Sequence, residues 1–257
     1  VIAGQTHNWW HWLIDLLPKI WMANQIGEEF ATWPLVMRPL PPENLNFQQT
    51  LEMVRQDKVI HWAPTNQFFD IHDAIVQSAP TNPGSTDFGL TGDGLRSPGF
   101  NVEIMSQYRK VLRQNALAFP ASVASRRIFL ARPADAGRKY NQTEIASIAR
   151  QFGFLQMVPE EHSLEELWAT LSRAEIVIGA QGAQWANTIV CADGTAALQW
   201  AGGALRGRGF SDLAKLTKMK LRTLVAEGDF DGEYSLNART FMEQLALSIR
   251  DGRAPKS

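Results

Sequence analysis

EIVIGAQGAQWANTIVCADGTAALQWA, residues 175–201, decides the fold class. EIVIGA (175–180) is a short apolar strand, GAQWANTIV a short helix, and AALQWA (196–201) a second strand. Short apolar strands alternating with helices imply a parallel sheet covered on both faces.

The alternation continues on either side. RRIFLAR (126–132) reads as a strand, followed by a helix from Asn141 to Phe152 with Asn141 at its cap. FLQMVPE (154–160) is a strand. HSLEELWATLSRA (162–174) is a helix whose Ser163 and Glu166 make a capping box. Beyond residue 201 come a helix at 209–219, a strand at 221–227 and a final helix at 235–251. The first half is less regular. Residues 8–27 form a helix capped by Asn8, PLVMRP (34–39) a strand, and 44–56 a helix starting near Asn44. KVIHWA (58–63) and FDIHDAIVQ (69–77) are strand-like, and 101–117 is a helix. Residues 78–99, rich in Pro, Gly, Ser, Thr and Asp, read as a long loop, a length that in compact domains accompanies function or mobility. The chain divides near AFPASVAS (118–125) into two α/β domains, 1–120 and 121–257, with a cleft between them.

Totals narrow the function. A net charge of −1 over 257 residues excludes a strongly basic nucleic-acid binder. One cysteine, Cys191, builds neither an intramolecular disulfide nor a multi-cysteine zinc site, so a reducing, cytoplasmic setting is expected and Cys191 reads as packed core. No apolar run reaches the roughly 20 residues of a membrane span. The chain opens on VIAG without an initiator Met, which reads as a segment of a longer protein.

In an open parallel sheet, ligands bind at the carboxyl ends of the strands. One such end is LARPADAGRKYN, where Arg132 ends the strand and Arg138 precedes the next helix. Two guanidiniums beside a helix N-terminus suit an anion, although solvated loop arginines would read the same. The other is IGAQGAQWAN, with Gly179 and Gly182 before a helix start. It is not the GxGxxG fingerprint, and the chain has no Walker A, GxSxG or HExxH motif, which argues against a Rossmann dehydrogenase, a P-loop kinase, an α/β-hydrolase and a zincin.

A third candidate is NWWHWLIDLLPKI (8–20). His7, His11 and Asp15 recur at i and i+4, along one helix face. A carboxylate one turn from an imidazole orients it and raises its basicity; a structural histidine is the plainer alternative. The early tryptophans (Trp9, Trp10, Trp12, Trp21, Trp33) suit either a core or a sugar-stacking wall.

NWWHWLIDLLPKI, RRIFLARPADAGRKYN, GF (153–154), VPEEHSLEELW and AEIVIGAQGAQWAN together resemble glycosyltransferase family 61 in content, order and spacing. The resemblance runs from about residue 7 to about residue 200. It implies a GT-B-like architecture, two Rossmann-like domains with parallel sheets facing a cleft, the leading part of the first being absent. It also implies inverting, metal-independent transfer from a nucleotide-diphosphate sugar, with no other cofactor, to a glycan or polysaccharide acceptor. Family members near polysaccharide and capsule assembly genes leave room for peripheral association with membrane assembly machinery. By position, Arg132 and Arg138, beside Asn141, look like ligands of the donor diphosphate. Gly182, Ala183 and Asn187 would shape the nucleotide-side loop. His11 looks like the general base, with Asp15 orienting it or taking the proton itself. Two positions depart from the family pattern. Gln181 stands where the family has a loop histidine, and Gln199 where an acid is frequent. Both are donor-side candidates that hydrogen-bond but carry no charge. They keep open a non-catalytic member that binds glycan or a partner enzyme.

Overall fold

A computed structural model describes residues 7–40, 45–64, 73–75, 80–81, 100–120, 123–203, 209–228 and 232–253. The chain separates into two compact units, Val1–Leu112 and Arg113–Ser257. Among the described residues, no helix is long and apolar enough to cross a membrane.

In the first unit, Asn8 caps the opening helix as its position predicts: its Oδ1 accepts from the backbone N–H of Trp10 at 2.9 Å. The helix is not uniform. His11–Leu16 is wound as a π-helix, and α1 proper covers Leu17–Ala23, ending short of the expected residue 27. Trp12, Leu13, Ile14, Leu16 and Leu17 are buried. Trp12 donates through Nε1 to Thr50 Oγ1 at 2.8 Å and packs on Phe47 of α2 (Leu45–Arg55). The buried Tyr108 of α3 (Val102–Ala118) donates its hydroxyl to the Leu13 carbonyl at 2.8 Å, fastening α3 to the π segment. Trp12 and Trp21 are therefore core, Trp9 and Trp10 are half-buried, and Trp33 is exposed. Strands β1 (Leu35–Met37) and β2 (Ile60–Trp62) pair in parallel, as the apolar runs there predict. Asn44, the loop at 78–99 apart from residues 80–81, and FDIHDAIVQ apart from residues 73–75 lie outside the described residues. Residues 73–75 are irregular.

The second unit carries a sheet that, among the described residues, has seven strands in the order β4-β9-β8-β7-β6-β3-β5. These are β3 (Arg127–Leu130), β4 (Lys139–Tyr140), β5 (Leu155–Met157), β6 (Ile176–Ala180), β7 (Ala196–Gly202), β8 (Lys220–Gly228) and β9 (Glu233–Ser235). Five of them, β5-β3-β6-β7-β8, are parallel throughout. Numbered by their own succession they run 2-1-3-4-5, the doubly wound order whose direction reverses between β3 and β6. On one face Phe129, Ile178, Leu198 and Trp200 pack against Ile145 and Ala149 of α4 (Gln142–Gln151) and Phe241 and Leu245 of α7 (Ala238–Arg253). Pleating turns the alternate residues to the other face. There α5 (Leu164–Ser172), a 3-10 helix (Ala183–Val190) and α6 (Gly209–Leu216) make contact in series. Ser163 caps α5 by accepting from Glu166 N–H at 3.2 Å. The Glu166 carboxylate lies on His162 Nδ1, 3.1 Å away.

The sheet departs from the all-parallel expectation at one edge, where β9 runs antiparallel to β8. A parallel return needs a dozen or more residues, and only a few lie between Gly228 and Glu233, so the chain reverses directly. Gly228 makes the reversal feasible. Its φ is +123°, and a Cβ there would stand 2.9 Å from that of Tyr234. Strand β9 then pairs in parallel with β4.

All three tyrosines are buried. Burial raises the pKa of each phenol: Tyr108, Tyr140 and Tyr234. The folded chain thus favours the neutral form. This stabilisation is complete below the unfolded phenol's pKa of about 10 and is lost as pH climbs above it. In an alkaline titration, tyrosinate absorbance is expected to appear together with loss of tertiary circular dichroism. Tyrosinate forming ahead of unfolding would contradict this burial.

Candidate functional site

Each unit presents one candidate centre. In the first unit, His11 Nδ1 lies 2.6 Å from Asp15 Oδ2. Side chains four apart are neighbours on a helix face, and this pair falls within the π segment; such segments are frequent at functional sites. The Thr81 hydroxyl donates to the other carboxylate oxygen, Asp15 Oδ1, at 2.5 Å. Asp15 is thus held through both oxygens. An ionised carboxylate only accepts, so the imidazole donates through Nδ1–H, and the basic lone pair of the neutral ring is on Nε2. The two side chains are 19% and 14% exposed, enough for an edge to meet a substrate while the pair stays ordered. Lys19, one further helical step along, is half-buried. Desolvation lowers its pKa, and Asp15 pulls it back up. His7 precedes the Asn8 cap and is exposed, so it does not continue the row within the helix.

In the second unit, the sheet's reversal point lies between β3 and β6, and the structure brings Arg132 and Gln181 together at its carboxyl end. Arg132 is 8% exposed. Its Nη1 donates to the Arg138 carbonyl at 2.6 Å and its Nη2 to the Gln181 carbonyl at 2.7 Å. The guanidinium also lies over the Tyr140 ring, 5.7 Å from its centroid. Gln142 pairs with the Arg132 backbone on both sides, accepting from its N–H and donating to its carbonyl, each at 2.9 Å. Arg132 is therefore a strut tying the loop after β3 to the loop after β6. Arg138 is half-buried. Both arginines lie close enough to Tyr234 to oppose the burial that raises its pKa.

The remaining predicted residues surround this point. Asn141 occupies the cap position of α4 but makes no side-chain cap there. Its amide accepts from Leu236 N–H at 2.9 Å and donates to the Leu236 carbonyl at 3.0 Å, pinning the β9–α7 connection. Asn187 is also structural: it accepts from Trp168 Nε1 at 3.0 Å and donates to the Gln184 carbonyl at 3.0 Å. Gly179 accommodates strand packing, since a Cβ there would meet the Leu130 carbonyl at 2.7 Å. Gly182, extended at φ 174°, and Ala183 open the 3-10 helix. Gln181 is buried, its N–H donating to the Trp200 carbonyl at 2.7 Å. Gln199, beside Gly179 in register, is 1% exposed, and its Nε2 is buried without a hydrogen-bond partner among the described residues. A buried donor left open is costly unless something accepts from it.

Sequence reasoning missed Thr81, Lys19, Gln142 and Tyr234. Lys19 continues the 11, 15, 19 spacing and was accessible that way. Thr81 lies far along the chain in the long loop, with no local signal.

No curated protein matches the chain. The family model Glycosyltransferase 61 matches residues 9–198, a span that contains His11, Asp15, both arginines and the loops at the sheet's reversal point. The chain therefore belongs to glycosyltransferase family 61 and is, by family, a glycosyltransferase.

Proposed function

We propose that the chain is an inverting, metal-independent glycosyltransferase that moves a sugar from a nucleotide-diphosphate donor to a hydroxyl of a glycan or polysaccharide acceptor. The observation that carries this reading is the two-sided hold on Asp15. With one carboxylate oxygen on His11 and the other on Thr81, Asp15 is an orienting anion and His11 Nε2 is the base. In a single displacement, Nε2 takes the acceptor hydroxyl proton as that oxygen bonds to the anomeric carbon. The bond from that carbon to the phosphate oxygen breaks, and its electron pair leaves on the nucleoside diphosphate. Positive charge and backbone N–H groups hold the departing charge in place of a metal. The reading follows a GT-B-like division of labour, with residues 1–120 on the acceptor side and 121–257 binding the nucleotide sugar. Arg138, Gly182, Ala183 and the open amide of Gln199 are its donor contacts. Arg132, Gln181, Asn141 and Asn187 shape the loops that carry them.

Isothermal titration with a panel of nucleoside diphosphates tests this. Binding that survives a chelator and is competed by pyrophosphate is expected. Absence of heat with every nucleotide would sink the proposal. Gln181 and Gln199 favour a second reading, since neither transfers a proton at neutral pH. A non-catalytic member would bind glycan or a partner enzyme without donor hydrolysis or transfer.

A further inference from the structure

The second unit holds a cavity that the proposed chemistry does not use. It has a volume of about 460 Å³ and lies where Arg126 and Glu175 lead into β3 and β6, at the amino ends of those strands. The donor-side loops are at the carboxyl ends, so a full strand length, about 13–17 Å, intervenes. Arg113, Arg126 and Arg173 line it, and among the described residues no Asp or Glu does.

The three guanidiniums differ in how they are compensated. Arg126 Nη1 pairs with the Glu175 carboxylate at 3.0 Å. Arg173 donates only to neutral acceptors: the carbonyls of Ala169, Leu117 and Phe119 and the Ser172 hydroxyl. Arg113 pairs with no carboxylate among the described residues, and its Nε is buried without a hydrogen-bond partner. Three cations therefore share one carboxylate around a cavity of small-ligand size. A buried donor on a cation is among the costlier groups to leave unpaired. An anionic acceptor rich in oxygens removes both the excess charge and the open donor.

We propose that this cavity is a second, non-catalytic binding site for a phosphate-class oxyanion, with Arg113 as its principal ligand and room for an organic group beside the anion. The inference stands independently of the donor site.

Titration of the full chain with inorganic phosphate at constant ionic strength tests it, comparing wild type, Arg113→Gln and Arg138→Ala. Arg138→Ala is expected to keep the phosphate binding that depends on Arg113, any loss being confined to a separate donor-side class of sites. Arg113→Gln is expected to bind at least about tenfold more weakly, the loss of one charge-assisted hydrogen bond. Circular dichroism confirms that this variant is folded, and Arg113→Lys, which keeps the charge but not the fork, is expected to recover part of the affinity. Phosphate binding lost in Arg138→Ala but intact in Arg113→Gln would overturn the proposal by assigning the anion to the donor side. So would the absence of saturable binding in wild type. A failure of nucleotide binding with phosphate binding retained would reject the donor reading and leave this one standing.

Discussion

His11→Ala is expected to lower turnover by about 10²–10⁴-fold, the usual contribution of a positioned general base, with little change in donor affinity. In the proposed reading the imidazole moves the proton and the nucleotide contacts come from residues of 121–257. Asp15→Asn keeps the size of the side chain but removes the charged acceptor of Nδ1–H. Turnover is expected to fall here too, with a flattened basic response in the pH–rate profile. Steady-state kinetics on both variants, with donor and acceptor varied separately, provide the check. A loss confined to donor KM, or wild-type turnover in His11→Ala, would remove the imidazole from the reaction.

The second large effect separates two arginines that the sequence treats as equals. Arg132→Lys is expected to unfold at markedly lower urea. One ammonium cannot bridge the carbonyls of Arg138 and Gln181 as the guanidinium fork does. Each buried carbonyl left without its donor costs about 1–3 kcal/mol. Arg138→Ala, by contrast, is expected to leave stability within about 1 kcal/mol while raising the donor concentration needed for half-maximal rate. Urea midpoints and donor titrations on the two variants give the answer. If Arg132→Lys lost donor affinity at unchanged stability, its guanidinium would be a ligand rather than a strut.

That contrast shows where sequence reasoning reaches its limit. The strands at 127–130, 155–157, 176–180 and 196–202 were legible because each belongs to a short, mostly apolar segment with a helix signal next to it. Lys139–Tyr140 and Glu233–Ser235 were not, since Lys139, Glu233 and Ser235 leave no apolar segment to mark a strand, and with them went the antiparallel edge. The cap at Asn8 was read correctly, whereas Asn141 holds the right position but bonds to Leu236. Residue type gives what a side chain can offer, and only the fold decides who accepts. The same holds for Arg132: a guanidinium aimed at carbonyls and one aimed at a phosphate look identical in a sequence. The pairing of His11 with Asp15 was visible from spacing alone. Thr81, 66 residues beyond Asp15, was not.

The π segment at His11–Leu16 has a consequence for how such a site can vary. A stretch bonded i to i+5 accommodates one residue more than an α-helix in the same run. Each residue of an α-helix turns the chain by about 100°. The residues before His11 and those after Leu16 therefore lie on two different phases of one rod. Substitutions alter what the ring and the carboxylate are made of, but their aim depends on a count of residues. Insertion or deletion within this stretch, rather than replacement, is the change that would turn the imidazole to face elsewhere.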